Sequence, residues 1–164
     1  MVRNFSPLYI IMLAVVACFL SCGNKTEDMA CNCADSFATH YFNWQYEQCL
    51  PFASAESKTW LQFAASNVTQ SDIEMLRAME YGASVEVTDI EMNDDGNATA
   101  ELLVSHFLMP GRLGKEVALI EEATTTLTLK KQGEDWKVIL EALPKMAFQQ
   151  QSEEQNPDSI AGGK

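Results

Sequence analysis

The chain has 164 residues, 47% hydrophobic and 21% charged, with 11 Lys and Arg against 23 Asp and Glu for a net charge of −12. That length and balance suit one folded domain with a real core, not a disordered polymer. The acidic excess works against nucleic acid and against electrostatic adsorption to anionic lipid, so no nucleic-acid partner is expected.

Arg3 supplies a positive charge ahead of an unbroken apolar run, Leu8 to Leu20, closed by Phe19-Leu20-Ser21-Cys22-Gly23. The run is about two-thirds of the roughly 20 apolar residues that a bilayer-spanning helix needs. Ala14, Ala17 and Cys18 make a poor A-x-A site for ordinary cleavage. The segment therefore reads as a signal peptide, residues 1–21, ending in a lipobox with Cys22 as the new N-terminal residue. This resembles the bacterial lipoprotein signal, although Leu20 stands one place closer to the cysteine than in the commonest arrangement. The resemblance implies a diacylglycerol thioether on Cys22, followed by N-acylation with a chain such as palmitate. Several chains on one residue anchor a protein where a single chain would not. The expected location is the bacterial cell envelope, lipid-anchored, with the outer membrane favoured, and the membrane is a partner through Cys22 alone. Removing 21 of the 164 residues leaves 143.

The cysteines beyond the signal are Cys31, Cys33 and Cys49, an odd number, so at least one thiol is free or intermolecular. Cys31-Asn32-Cys33 resembles half of a metal motif, but the only histidines are His40 and His106 and no second cysteine pair follows. No metal site is expected, and small buried thiols near a helix end are the preferred reading.

Residues 22–32 are polar and read as a tether, 33–145 as the folded domain, and 146–164, rich in Gln, Glu and Gly, as a disordered tail. From Cys33 the spacing of Ala34, Phe37, Ala38 and Tyr41 predicts a helix that Asn43 interrupts. Tyr46 to Ala53 offers a short second piece around Pro51, and Ser54 to Ser66 a third with Trp60, Leu61, Phe63 and Ala64 on its apolar side. Ser71-Asp72-Ile73-Glu74 reads as a capping box opening a helix that buries Ile73, Leu76 and Met79 and ends at Gly82. After Ala83 the period becomes two. Val85 and Val87 alternate with polar neighbours, Asp95-Gly96 turns the chain, and Ala98, Ala100, Leu102 and Val104 share one phase. Beyond the loop at Pro110–Gly114, Ala123, Thr125, Leu127 and Leu129 line one side of a long strand, and Trp136, Val138, Leu140 and Ala142 form the last buried phase.

In the tail, Asp158-Ser159-Ile160 resembles a bacterial O-glycosylation site, with Ser159 as the acceptor. Asn67-Val68-Thr69 and Asn97-Ala98-Thr99 match the N-glycosylation pattern, a match read as chance in a bacterial envelope protein.

The fold class that follows is α+β: N-terminal helices packed on a curved, mainly antiparallel four-stranded sheet, cone-like with cystatin-like topology. The stretch from Ala34 through Phe37-Ala38, Tyr46-Glu47-Gln48, Pro51-Phe52-Ala53 and Glu56-Ser57 resembles small bacterial lipoproteins of the nuclear-transport-factor-2-like superfamily, including lumazine-binding-like members. The finish does too: Asp-Gly turn, Ala-rich strand, Thr/Leu strand, then Gly133-Glu134-Asp135-Trp136-Lys137-Val138. It covers about Ala34 to Leu143, and its motifs are structural. Enzymes of that superfamily work from a cavity carboxylate or histidine, but their catalytic motifs have no match here, so no catalytic residue and no cofactor is carried over. His106 shares strand phase with Ala100, Leu102 and Val104, which point inward; it is the candidate base or ligand-holder, with a histidine satisfied at the rim of the core near the Pro110 loop as the preferred reading. Tyr41, Trp44, Trp60 and Phe63 are the aromatic candidates to line a pocket at the open end. The expected role is a non-enzymatic module binding a small ligand or an envelope protein. The alternative is an isomerase- or dehydratase-like enzyme using His106.

Overall fold

The computed structural model describes residues 25–110 and 117–148. The signal segment, Cys22 and Ser159 lie outside the described residues.

Helix α1 spans Lys25–Phe42 and buries Ala30, Cys33, Ala34, Phe37, Ala38 and Phe42. It starts eight residues before Cys33, so residues 25–32, read as tether from their polar composition, are helical. Two things extend the helix: Glu27 and Asp28 in the first turn complement the helix dipole, and Ala30 continues the buried stripe one turn back. A short helix α2, Tyr46–Cys49, runs into a 3₁₀ turn at Leu50–Phe52 that has Pro51 at its start. Helix α3 is Lys58–Ser66 and α4 is Gln70–Ala78.

The capping box of α4 is Thr69 with Asp72, two residues earlier than the Ser71 box read from the sequence. Thr69 Oγ1 accepts the Asp72 backbone N–H at 3.3 Å, and Asp72 Oδ2 accepts the Thr69 N–H at 2.8 Å. Both tetrads fit the motif; the chain uses the one that lengthens the helix. No residue of α4 is fully buried, and it ends at Ala78 with Met79 already extended. Gly82 is not its C-cap. A Cβ on Gly82 would collide with the side-chain amide of Asn43. That amide donates to Thr39 O at 2.8 Å and to Ala83 O at 3.1 Å, and accepts the Ala83 N–H at 2.9 Å. Asn43 thus pins the end of α1 to the start of the sheet.

The sheet is an antiparallel meander in the order β1-β2-β3-β4: Ser84–Met92, Asn97–Met109, Ala118–Gln132 and Asp135–Ile139. Ala98, Ala100, Leu102 and Val104 of β2, Ala123, Leu127 and Leu129 of β3, and Trp136 and Val138 of β4 form the inner face. Helix α1 lies across that face and touches all four strands. The fold is therefore the expected α+β arrangement of helices on a four-stranded antiparallel sheet. A register shift between Val87 and Asp89 bends β1. β4 stops at Ile139, so Ala142 is exposed and does not extend the buried phase. Past Pro144 the chain returns to the sheet. Ala147 exchanges two backbone hydrogen bonds with Thr124, at 2.9 and 2.8 Å, so the described residues 146–148, read as the start of the disordered tail, are held against β3.

Candidate functional site

The aromatic and histidine candidates do not converge. His106 has φ of 53°, and its side chain is 63% exposed, with Nε2 3.2 Å from Glu121 Oε2. The alternation that pointed it inward fails there. A left-handed residue turns the side chain out and passes the inner phase to Phe107, which is 2% exposed and meets Phe42 edge to face at 5.3 Å. Histidine is among the few non-glycine residues that take this conformation with some ease.

Tyr41 stacks on Phe37 at 5.8 Å and meets Phe42 and Tyr46 edge-on at 5.2 and 5.5 Å. It belongs to the aromatic packing under α1. Trp44 sits at the turn after α1 with φ of 57°. Trp60 and Phe63 form a separate edge-to-face pair on α3 at 6.2 Å, with Phe63 49% exposed. Burial pushes the Tyr46 hydroxyl well above the ordinary tyrosine range, with Tyr41 and Cys49 adding to it.

A different part of the molecule forms an open cleft of about 480 Å³. One wall is a stripe of α1: Met29, Asn32, Cys33 and Ser36, at the spacing that places side chains on one helix face. The 3₁₀ turn supplies Pro51 and Phe52, and the start of β4 supplies Asp135, Trp136 and Lys137. The volume falls in the range of about 300–1,000 Å³ usual for small-molecule sites. None of the five sequence candidates lines it.

Two of its polar groups are fixed by backbone carbonyls. Lys137 Nζ donates to Pro51 O at 2.7 Å and lies 3.7 Å from Asp135 Oδ2. The Cys33 thiol donates to Trp136 O at 3.1 Å. Burial pushes that thiol up to about 11, against the pull of the Lys137 charge, so it stays protonated at neutral pH. The Trp136 indole N–H is buried with no partner in the protein. Cys49 is likewise buried, with its thiol pushed up to about 12, and Cys31 is raised by burial and then by Asp35. All three thiols are free. Cys33 and Cys49 are buried as expected, but Cys33 lies in the middle of α1 and not near its end, and Cys31 is half-buried.

Among the described residues no group of three or more His, Cys, Asp or Glu is placed to hold a metal ion, and no helix is long and apolar enough to cross a membrane. The cleft can hold a ligand by apolar contact with Met29, Phe52 and Trp136 and by polar contact with Asn32, Ser36 and Lys137. Of its side chains, the Cys33 thiol is held protonated by burial and engaged with Trp136 O.

No family model matches the chain, and no curated protein matches it. A solved structure described as an Ntf2-like protein involved in plasmid conjugation is similar to it, at 15% identity and a TM-score of 0.37. The likeness covers 85% of this chain and 53% of that one, so the chain spans about half the length of that protein. A likeness of this size carries no conclusion about site, partner or role.

The cleft stripe was present in the sequence, since Met29, Asn32, Cys33 and Ser36 repeat at helical spacing. The polar composition of residues 22–32 hides its first half. Nothing in the sequence tells that Pro51 and Lys137, 86 residues apart, would meet.

Proposed function

We propose that this chain is a membrane-anchored lipoprotein of the bacterial envelope, with a nuclear-transport-factor-2-like domain that acts as a non-enzymatic binding module. The observation that carries the binding reading is the cleft between α1, the 3₁₀ turn and β4. Two of its titratable groups hold the walls together, Lys137 on Pro51 O and Cys33 on Trp136 O, while Asp135 lies beside Lys137 on the same strand. A thiol pushed up to about 11 is no nucleophile at neutral pH. Its location rests on Arg3, the Leu8–Leu20 run and Cys22 in the sequence. The superfamily assignment rests on the order of helices and strands and on the Trp136-Lys137-Val138 finish.

Two measurements test this. Intact-mass and N-terminal peptide analysis of the protein from a bacterial membrane fraction is expected to find residue 22 first and carrying acyl chains. An unacylated N-terminus defeats the anchor. For the binding role, Asn32→Phe, which fills the cleft from an exposed position, is expected to abolish ligand-induced thermal stabilisation while His106→Gln leaves it intact. The reverse pattern would move the binding site from the cleft to His106.

A further inference from the structure

An anchor at Cys22 would keep the cleft near the membrane, because few residues separate the two in sequence. The first described residue of helix α1, Lys25, is three residues beyond Cys22, and three residues of chain reach at most about 10 Å. At about 1.5 Å of rise per residue, Met29 lies roughly 6 Å and Ser36 roughly 17 Å along the helix from Lys25. Whatever the tilt of the helix, the near end of the cleft is then within about 16 Å of the acylated residue, and the far end within about 27 Å. The headgroup layer itself adds only about 5–8 Å on each side of the hydrocarbon core. Acylation at Cys22 would therefore keep the cleft within reach of the lipid surface.

The lining suits that position. Met29, Phe52 and the Trp136 ring give apolar wall, while Asn32, Ser36 and the Lys137 ammonium give polar rim. Leu50, in the same turn as Phe52, is 41% exposed. We propose that the cleft takes a single-chain membrane amphiphile with an anionic oxygen in its head group, drawn from the bilayer that holds the domain. This rests on the acylation of Cys22 proposed above. The chain lies against the apolar wall, and the head oxygen competes with Asp135 for Lys137, a pairing held only at 3.7 Å. A dissolved anion would leave the apolar wall unused and would face the Asp135 carboxylate without compensation.

The test uses the acylated full-length protein in lipid nanodiscs, with its three tryptophans replaced biosynthetically by 5-fluorotryptophan. Trp44→Phe and Trp60→Phe assign the Trp136 fluorine resonance by elimination. The probe is a palmitoyl lysophosphatidylglycerol with a nitroxide on its acyl chain, and inorganic phosphate is the soluble arm. The expected result is saturable broadening of the Trp136 resonance, weakened at least fivefold by Ser36→Phe and by Asn32→Phe. Asn32 is exposed, so its variant keeps the test open should Ser36→Phe fail to fold. An unbroadened Trp136 at saturating probe, unchanged affinity in both variants, or displacement of the probe by inorganic phosphate as readily as by unlabelled lysolipid overturns the proposal. Intact mass on the same sample separates the two readings. An acylated chain that ignores the probe defeats the amphiphile and leaves the anchor standing; an unacylated one defeats both.

Discussion

Removing one hydroxyl at Ser57 should cost more than its size suggests. Ser57 is fully buried, and its Oγ donates to Val138 O at 3.1 Å while accepting the Leu140 backbone N–H at 2.8 Å. It also accepts the Ser54 hydroxyl at 2.8 Å. Together with the Ser54 N–H on Val138 O at 2.9 Å, these bonds close the outer edge of β4 against the Ala53–Ser57 segment. In Ser57→Ala, Val138 O keeps the Ser54 N–H, but the Leu140 N–H is left buried without an acceptor. An orphaned buried donor costs about 1–3 kcal/mol, so a loss of about 2 kcal/mol is expected. For a domain of this size that corresponds to a drop in Tm of roughly 6–10 °C. Ser54→Ala supplies the control. The Ser57 N–H that bonds Ser54 Oγ at 3.3 Å also reaches Ser54 O at 3.1 Å, so less is orphaned and under about 1 kcal/mol should be lost. Urea unfolding followed by circular dichroism reads both. A Ser57→Ala loss under about 0.5 kcal/mol, or a larger loss in Ser54→Ala, refutes the argument.

Gly82→Ala forces a methyl group into the Asn43 amide and should cost about 1–2 kcal/mol. With Asn43→Ala already in place it should cost much less, which a double-mutant cycle in urea measures. At His106, whose φ is 53°, Gly should be neutral or stabilising while Val is the worst replacement, because the left-handed region penalises a branched Cβ. Differential scanning calorimetry of the His106→Gly and His106→Val pair checks the order. The buried thiols make stability fall in alkali. Cys33 and Cys49 rise from 9.0 to about 11 and about 12 on folding, so the stability they confer is complete below pH 9 and is lost as pH climbs through 11 and 12. Urea midpoints at pH 8 and pH 10.5 should therefore converge in Cys33→Ala relative to the parent. Equal pH dependence in the two proteins would contradict the burial argument.

The strands were legible because one-sided burial writes itself as alternation. Ala98, Ala100, Leu102 and Val104, and Leu127 and Leu129 across from them, were placed correctly by period alone. Alternation failed where the backbone left the extended region, at His106, and a left-handed residue inside a strand has no signature in hydrophobic pattern. Helix ends were less legible than helix existence. Thr69 and Ser71 both offer a capping box, and the sequence does not rank them. The start of α1 was hidden by composition: Lys25 to Asp28 is polar as a tether would be, and its helical character comes from Ala30 packing on the core and acids at the helix start. The candidate site was the least legible part, since its third wall comes from β4 and depends on long-range contacts such as Lys137 to Pro51 O.

The first two turns of α1 matter because the helix serves the core and the cleft with adjacent stripes. Ala30, Ala34, Phe37 and Ala38 pack inward, while Met29, Asn32 and Ser36 look into the cleft. Cys33 sits on the border, buried to 7% exposure, lining the cleft and holding Trp136 O with its thiol. That shared residue ties the position of β4 to the helix, so the distance between the cleft walls is set by the same packing that stabilises the domain. Substitutions at Asn32 and Ser36 can then alter what the cleft admits with little cost to the core. Replacing Cys33 should move stability and binding together, because its side chain is the contact through which each depends on the other.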